Sequence, residues 1–295
     1  MLSAELVRKI RQIEISTRHL VSDSFAGEYQ SVFKGQGMEF DEVRAHVDGD
    51  EIRLIDWNVT ARMGSPYVRR YHEERESTVM LVVDASGSAD FGTVGRLKKE
   101  LAAELAAVLS FAATTNNDKV GLLIFTDRIE LLVPPRKGRR HVLRLIRDML
   151  VFEPQGLGTD IELALETVSR VLKRRSIIFL VSDFLVDPES YRRAMAVANQ
   201  RHDVVAVDVS DPMERQIADV GLVALEDAET GELAWVDTAS PAWRDESASL
   251  VASMEHAKLQ LFASLGVDCI GVTTNKDYVA GLTSFFKRRA RRLRR

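Results

Sequence analysis

The sequence predicts an α/β fold in which a doubly wound, mostly parallel sheet is covered by helices on both faces. Continuous apolar segments of strand length occur at 79–84, 119–125 and 177–182. They alternate with segments whose apolar residues recur at helical spacing, which is the pattern of a parallel sheet buried on both sides. The chain has 295 residues, of which 45% are apolar, so it can form a substantial core.

The elements follow in a regular order. We expect strands near 79–84, 119–125, 129–133, 177–182, 203–209 and 267–272, with helices at about 94–115, at 139–150 and directly after Thr159. The helix at 94–115 carries one apolar stripe, made of Leu97, Leu101, Leu105, Val108 and Ala112. The segment GLVALEDAETGELAWVD predicts an inserted β-hairpin that turns at residues 229–231.

The N-terminal part has a different texture. Residues 3–21 predict an amphipathic helix from the spacing of Leu6, Ile10, Ile13, Thr17 and Leu20. From residue 32 to residue 76, charged and apolar residues alternate densely between glycines, and a DGD turn lies at 48–50. This segment is typical of short strands and loops.

A candidate ion site follows the first apolar strand, in the segment TVMLVVDASGS. Asp84, Ser86 and Ser88 alternate, so their oxygen atoms can face one point, and Gly87 lets the turn close. Oxygen ligands with few carboxylates suit Mg²⁺. Zinc is disfavoured, because the lone Cys269 lies in an apolar run and the histidines show no ligand spacing. The alternative is that these are ordinary turn residues.

Two later segments support the ion site. Thr159 follows the glycine-rich turn GLG and precedes a helix for which Asp160 is the predicted N-cap. Asp183 follows the apolar strand in SIIFLVSDF, as Asp84 follows the first strand. In open α/β sheets, ligands bind beyond the carboxyl ends of the strands, so all three segments are expected at one edge.

These five residues resemble the metal-ion-dependent adhesion site of the von Willebrand factor type A (vWA) domain: Asp84, Ser86, Ser88, Thr159 and Asp183. The resemblance implies a Rossmann-like vWA fold with Mg²⁺ as cofactor, or Mn²⁺ or Ca²⁺ as alternatives. It also implies that the hydroxyls contact the ion, that the aspartates act largely through water, and that a partner protein's Asp or Glu fills an open position. A neutral shell of this kind leaves the ion electrophilic toward a carboxylate.

A second resemblance is carried by the charged N-terminal segment and covers most of residues 25–289. The residues that resemble the bacterial family DUF 58 (domain of unknown function number 58) are Gly35, Gly37, Glu39, Phe40, Arg44, Gly49, Asp50, Arg53, Asp56, Trp57, Ala61 and Arg62. His46 departs from the Tyr expected there. The resemblance implies a protein-binding adaptor that works with a MoxR-type AAA+ ATPase, or its client, in chaperone-like assembly or maturation.

The charged residues of the N-terminal segment allow two interpretations. Ion pairs between Arg44, Arg53 or Arg62 and Asp50, Asp56 or Glu39 are one interpretation, and a solvated charged surface is the other. For Trp57 we expect an anchor in the core, with a platform for a ligand as the alternative. The predicted division is an N-terminal segment 1–76, a vWA-like domain 77–289 with a hairpin insertion near 220–238, and a basic tail 290–295.

Composition and charge limit the remaining functions. The net charge of −4 does not favour nucleic acid. An N-terminus charged from its fifth residue, a single cysteine and the lack of a long apolar stretch predict a cytoplasmic protein. The basic run KRRARRLRR at 287–295 is expected to be a solvated helix end, with a weak contact to an anionic membrane as the alternative.

We expect a binding protein and not an enzyme. The chain has no GxxxxGK[ST] loop and no GxSxG elbow, so ATP hydrolysis and ordinary serine hydrolysis are not expected. A magnesium-dependent phosphohydrolase with Asp84 as nucleophile is the alternative. Such enzymes want a second carboxylate two residues after the nucleophile, and this chain has Ser86 there.

Overall fold

The structure, a computed structural model, describes residues 26–33, 38–73, 76–93, 95–215 and 217–293, together with residues 8, 11–13, 15, 17 and 21. The strands in chain order are β1 (Met38–Ala45), β2 (Tyr67–Glu73), β3 (Thr78–Asp84), β4 (Lys119–Phe125), β5 (Ile129–Arg136), β6 (Ile177–Ser182), β7 (Asp203–Ser210), β8 (Leu222–Glu226), β9 (Leu233–Asp237) and β10 (Asp268–Thr273). The α-helices are α1 (Ala26–Val32), α2 (Trp57–Met63), α3 (Lys98–Thr115), α4 (Arg139–Leu150), α5 (Ile161–Val171), α6 (Pro188–Arg201), α7 (Pro212–Arg215), α8 (Pro241–Leu265) and α9 (Tyr278–Leu293).

The centre of the fold is a six-stranded sheet in the order β10-β7-β6-β3-β4-β5. All neighbouring pairs are parallel except β4 with β5, which lies antiparallel at one edge. Every residue of β6 is buried, as is every residue of β3 after Thr78, because helices cover both faces of a parallel sheet. The predicted fold class, an α/β fold with a doubly wound, mostly parallel sheet, is confirmed.

Two apolar layers lie on opposite faces of this sheet. One contains residues of α3, α4 and α9, such as Leu105, Leu145 and Phe286. The other contains residues of α5, α6 and α8, such as Leu165 and Phe262. Helix α3 is buried nearly all round, since alanines such as Ala103, Ala106 and Ala107 are buried in addition to its predicted stripe. The two layers fix the sheet, and with it the positions of the loops at its carboxyl edge.

Helix α3 starts four residues later than the predicted start at residue 94. Residues 91–93 and 95–97 lie in a loop, and several of their polar groups make hydrogen bonds to other parts of the chain. Asp211 accepts hydrogen bonds from the backbone amide and hydroxyl of Thr93, at 3.0 and 2.6 Å, and Arg96 donates to the carbonyl of Thr274 at 3.0 Å. Gly95 has a φ of +78°, which a helix does not accommodate. These hydrogen bonds and the positive φ of Gly95 therefore keep this part of the chain out of the helix, although its apolar residues have helical spacing.

The N-terminal segment contains a helix that the sequence pattern did not indicate. Strands β1 and β2 pair antiparallel, as expected of short strands, but Trp57–Met63 is helical and a 3₁₀ turn lies at Ile52–Leu54. The side chain of Asp56 accepts from the amides of Asn58 and Val59, and this N-cap starts the helix. Trp57 is therefore at an outward position and is 66% exposed, so its prediction as a core anchor is wrong.

The predicted ion pairs of this segment form only in part. Arg44 and Asp50 make a bidentate pair with two N–O distances of 2.7 Å. Asp56 pairs with Arg69 at 2.8 Å and not with the arginines expected. In the segment 3–21, residues 8, 11–13, 15 and 17 are helical, and Ile13 and Thr17 are buried. Leu6, Ile10 and Leu20 lie outside the described residues, as does the side chain of Glu39.

The inserted hairpin and the C-terminal helix complete the fold. Strands β8 and β9 form the predicted hairpin, and the turn closes with a hydrogen bond from the amide of Asp227 to the carbonyl of Glu232 at 2.9 Å. Helix α9 continues through most of the basic run, to Leu293. No helix in the described part of the chain is both long enough and apolar enough to cross a membrane. The division at residues 76 and 289 stays a prediction.

Candidate functional site

Two aspartates meet where the central strands β3 and β6 end. The parallel register pairs Val83 with Val181, which places the end of β3 beside Ser182 and Asp183. The hydroxyl of Ser182 donates to Asp84 Oδ2 at 2.6 Å. Both aspartates are 8% exposed. The sheet thus brings together two carboxylates from remote parts of the chain, as the sequence predicted.

The two serines of the DASGS segment join this pair. The amide of Ser86 donates to Asp84 Oδ1 at 2.9 Å, and a 3₁₀ turn at Gly87–Asp90 follows. The hydroxyls of Ser86 and Ser88 lie 3.2 Å apart, and the Ser88 hydroxyl donates to Asp183 Oδ2 at 2.6 Å. Four of the five predicted residues therefore form one hydrogen-bonded cluster, which we call the aspartate–serine cluster: Asp84, Ser86, Ser88 and Asp183.

The fifth predicted residue, Thr159, is not hydrogen-bonded to this cluster. Its loop does reach the serine turn, because the carbonyl of Leu157 accepts from the amide of Gly87 at 2.9 Å. The Thr159 hydroxyl donates instead to Glu229 Oε1 in the turn of the inserted hairpin, at 2.7 Å. Asp160 is the N-cap of α5, as predicted, and accepts from the amide of Leu163 at 2.8 Å. The structure therefore places the loop of Thr159 beside the serine turn, and the Thr159 hydroxyl bonds the carboxylate of Glu229.

The loop that carries Thr159, residues 155–159, is held by a carboxylate from the edge strand. Glu130 Oε1 accepts from the amides of Gln155 and Gly156, at 2.9 and 2.8 Å, and from the hydroxyl of Thr126 at 2.9 Å. Partial burial acts to raise the pKa of Glu130, but these hydrogen bonds outweigh burial and lower it. Glu130 therefore orients the loop as a carboxylate.

Two charged residues that the sequence analysis missed complete the cluster. Lys98 is 3% exposed, and its ammonium lies 2.7 Å from Asp183 Oδ2. It also pairs with Glu214, and the other oxygen of Glu214 accepts from the amide of Asp211 at 2.8 Å. Burial opposes the charge of Lys98, but Asp183 and Glu214 together outweigh burial and raise the pKa of its ammonium.

One of these residues carried a usable signal in the sequence. Glu214 follows β7, whose carboxyl end lies at the same edge as those of β3 and β6, so the rule that located Asp84 and Asp183 applies to it as well. Ser182 directly precedes Asp183 at the end of an apolar strand, so the same rule could have located it. Lys98 lies in the first turn of an apolar helix, where nothing in the spacing distinguishes it from a solvated lysine.

The surroundings of Asp84 disfavour a negative charge on its carboxylate. Burial, and then the charge of Asp183, raise the pKa of Asp84 to about 6 against the hydrogen bonds from Ser182 and Ser86. A second buried ammonium, that of Lys258, donates to the carbonyl of Asp183 at 3.4 Å and pairs with Asp208 at 2.7 Å. With all of these described groups ionised, four carboxylates (Asp84, Asp183, Asp208 and Glu214) face the ammoniums of Lys98 and Lys258, so the site carries a net charge of −2. A divalent cation would offset that charge.

The donor atoms also fit a hard cation. The residues that would hold the ion are Asp84, Ser86, Ser88 and Asp183, with Thr159 at the neighbouring loop, and all of them offer oxygen. Among the described residues, no three or more His, Cys, Asp or Glu side chains are grouped so that they could hold a metal ion, so hydroxyls are needed. Oxygen donors and a residual double negative charge suit Mg²⁺ better than zinc.

Sequence comparison identifies relatives over nearly the whole chain. Uncharacterized proteins of Mycobacterium tuberculosis (strain ATCC 25618 / H37Rv) and Mycobacterium bovis (strain ATCC BAA-935 / AF2122/97) are each 32% identical over 289 residues, which is 97% of this chain and 90% of theirs. An uncharacterized protein of Mycobacterium avium is 31% identical over 161 residues, which is 54% of this chain and 94% of its own length.

Solved structures share the fold. The conserved hypothetical protein BatB of Bacteroides thetaiotaomicron aligns with a TM-score of 0.51 and 16% identity, over 73% of this chain and 99% of its own. An aerotolerance-related membrane protein of Bacteroides fragilis has the same TM-score and coverage with 17% identity. The family described as "Protein of unknown function DUF58" matches residues 42–257. With this match and the mycobacterial relatives, the chain belongs to the DUF58 family.

Proposed function

We propose that this chain is a protein-binding module that holds Mg²⁺ at the aspartate–serine cluster and recognises an Asp or Glu side chain of a partner protein. The observation that carries the proposal is the hydrogen-bonded cluster itself, in which two buried carboxylates and two hydroxyls converge at the end of the central strands. Asp84, Ser86, Ser88, Thr159 and Asp183 would hold the ion, which when bound attracts a partner's carboxylate.

The residues of the chain would do the remaining work. Ser182 and the amide of Ser86 each bond one oxygen of Asp84, which fixes the carboxylate in one orientation. Lys98 cancels part of the charge on Asp183 and Glu214, so the ion is not held by a fully anionic shell. The ion would therefore keep more of its attraction for an external acid than it would beside the same carboxylates without Lys98.

The phosphohydrolase alternative has less support. A nucleophilic carboxylate needs a free oxygen that faces a substrate, but both oxygens of Asp84 accept hydrogen bonds and the residue is buried. No carboxylate stands at position 86 to act as acid and base. Release of phosphate from a generic ester, lost on Asp84→Asn, would favour the hydrolase.

The ion part of the proposal is tested by isothermal titration of Mg²⁺ into the full chain. Asp84→Asn and Ser86→Ala are expected to abolish ion binding and to leave the circular dichroism spectrum unchanged, because neither change alters the apolar core. Asp245→Asn and Ser249→Ala, which change exposed residues of α8, are matched controls and should bind like the wild type. Equal binding by Asp84→Asn and the wild type would refute the site.

The partner part of the proposal rests on the family resemblance, which points to a MoxR-type AAA+ ATPase, its client, or both. Capture of native partners on the immobilised chain should yield an ATPase in the presence of Mg²⁺, and EDTA or Asp84→Asn should abolish this capture. Capture that is indifferent to EDTA and to Asp84→Asn would show that the partner binds elsewhere on the chain.

A further inference from the structure

The turn of the inserted hairpin, residues 227–231, packs against two loops of the candidate site. A Cβ atom at Gly87 would lie 2.0 Å from the carbonyl oxygen of Ala228, so only glycine permits this approach. A Cβ atom at Gly158 would lie 4.0 Å from Glu229 Oε2. The hairpin turn thus touches both the serine turn and the loop that carries Thr159.

The turn places a carboxylate at the one predicted ligand that lies outside the aspartate–serine cluster. Glu229 Oε1 accepts the hydroxyl of Thr159 at 2.7 Å. The turn does not depend on this contact for its shape, since Asp227 Oδ1 accepts from the amides of Glu229 and Thr230 at 2.9 and 2.8 Å. Asp227 therefore builds the turn, and the turn presents Glu229.

The contacts that the structure describes around Glu229 do not offset its negative charge. No lysine or arginine pairs with it in the part of the chain that the structure describes, and the site beside it already carries a net charge of −2 when its groups are ionised. A solvent-exposed carboxylate gains little from one hydroxyl, and like charges repel. A cation between Glu229 and the cluster would make this placement favourable.

We propose that Glu229 is an internal ligand of the site: it takes the place that the proposed function gives to a partner's acid, and a partner binds by displacing the hairpin turn. This inference rests on the proposed function and adds a regulation to it. An internal carboxylate lowers the apparent affinity for an external one in proportion to the fraction of time it occupies the site. Only a partner that also engages the hairpin, or presents its acid at high local concentration, would open it.

Mn²⁺ is a direct probe, because the relaxation of water protons reports how many water molecules remain on the bound ion. Glu229→Ala in the full chain should increase the relaxation enhancement per bound Mn²⁺ and weaken ion affinity, since water replaces a carboxylate. Glu232→Ala, which removes an exposed glutamate of the same hairpin, is the matched control and should behave like the wild type. Asp227 is retained in both variants, so the turn stays formed.

Amide hydrogen exchange of residues 227–231 gives a second measurement. Mg²⁺ should slow exchange in the turn of the wild-type chain by about tenfold, as one charge-assisted contact is added, and should not slow it in Glu229→Ala or Asp84→Asn. If the wild type binds no ion, the proposed function and the internal ligand fall together. If ion binding depends on Asp84 but Glu229→Ala matches the wild type in both measurements, only the internal ligand is overturned.

Discussion

At the scale of single residues, the surroundings of Asp84 favour the protonated form of its side chain and so raise its pKa. Burial is the larger cause, the neighbouring charge of Asp183 is the second, and together they raise its pKa from 3.8 to about 6. In the metal-free chain this shift makes the free energy of unfolding decrease as the pH rises from about 4 to about 6. A bound divalent cation would reverse the preference, because it stabilises the ionised form.

We therefore expect a pH dependence of Mg²⁺ affinity. Protons and the ion compete for Asp84, so the affinity should fall by about fourfold between pH of about 7.5 and pH of about 5.5, as follows from a pKa of about 6. Titration calorimetry at the two pH values measures this change. An affinity that is constant over this range would show that Asp84 does not titrate in the site.

Lys98 provides a second prediction. Lys98→Met leaves the buried Asp183 and the partly buried Glu214 without this cation, which should lower the free energy of unfolding by about 3–5 kcal/mol. Added Mg²⁺ should recover part of this loss. Lys99→Met is the control, since Lys99 is exposed and pairs with the exposed Asp90. Urea unfolding with and without Mg²⁺ provides the measurement, and a loss equal to that of Lys99→Met would contradict the role of Lys98.

At the scale of elements, the strands were the most predictable part of the chain. β3, β4 and β6 were located to within one residue, because a parallel strand buried on both faces must be continuously apolar. The start of α3 and the helix at Trp57–Met63 were not predictable, because tertiary hydrogen bonds to Thr93 and the cap by Asp56 decide them. Helical periodicity carries no information about either contact.

The same limit applies to the candidate site. Asp84 and Asp183 were predictable from strand ends, and Ser86 and Ser88 from alternation beside Asp84. The partner of Thr159 was not, because the hairpin turn that supplies Glu229 lies 70 residues away and no rule of sheet topology places it. Insertions are added to the edge of a fold, and their docking depends on side chains that have no periodic pattern.

The loop at 155–159 provides the prediction at this scale. Glu130→Ala removes the acceptor for the amides of Gln155 and Gly156, so the loop should loosen and Mg²⁺ affinity should fall although no predicted ligand is altered. The free energy of unfolding should decrease by about 1–3 kcal/mol. Glu153→Ala changes an exposed neighbour and is the control. Calorimetry and urea unfolding would show equal behaviour of the two variants if Glu130 has no positioning role.

At the scale of the whole molecule, some arginines of the basic run at the end of α9 pair with the sheet, while others are exposed. Arg289 pairs with Asp203 and lies 2.9 Å from Asp268, which are the first residues of β7 and β10. Its guanidinium also lies 4.8 Å from the ring centroid of Phe33. Arg292 lies 2.6 Å from Asp268. A run that was expected to be a solvated helix end therefore fastens α9 to the sheet.

Arg289→Ala should accordingly lower the free energy of unfolding by about 3 kcal/mol, because the partly buried Asp203 loses its cation and Asp268 keeps, among the described residues, only the exposed Arg292. Arg291→Ala is the control, since Arg291 is exposed. Thermal unfolding of both variants measures the difference, and equal midpoints would contradict the anchoring role.

A proposed weak contact with an anionic membrane is tested by different changes. Deletion of 287–295 would also remove Arg289, so Arg288→Ala with Arg291→Ala is the appropriate variant for vesicle binding. Unchanged binding to vesicles that contain anionic lipid would exclude this contact.

The order of strands in the central sheet also has a consequence for biosynthesis. β3 lies between β4 and β6, and 98 residues separate Asp84 from Ser182, which donates to it. At about 5–20 residues per second, a ribosome needs about 5–20 s to translate that interval. During this time β3 has one edge without a neighbouring strand, because β6 has not yet been translated. Asp84 likewise has no hydrogen bond from Ser182. Capture of the proposed ion would therefore have to follow translation of Asp183, and early truncation products are expected to aggregate.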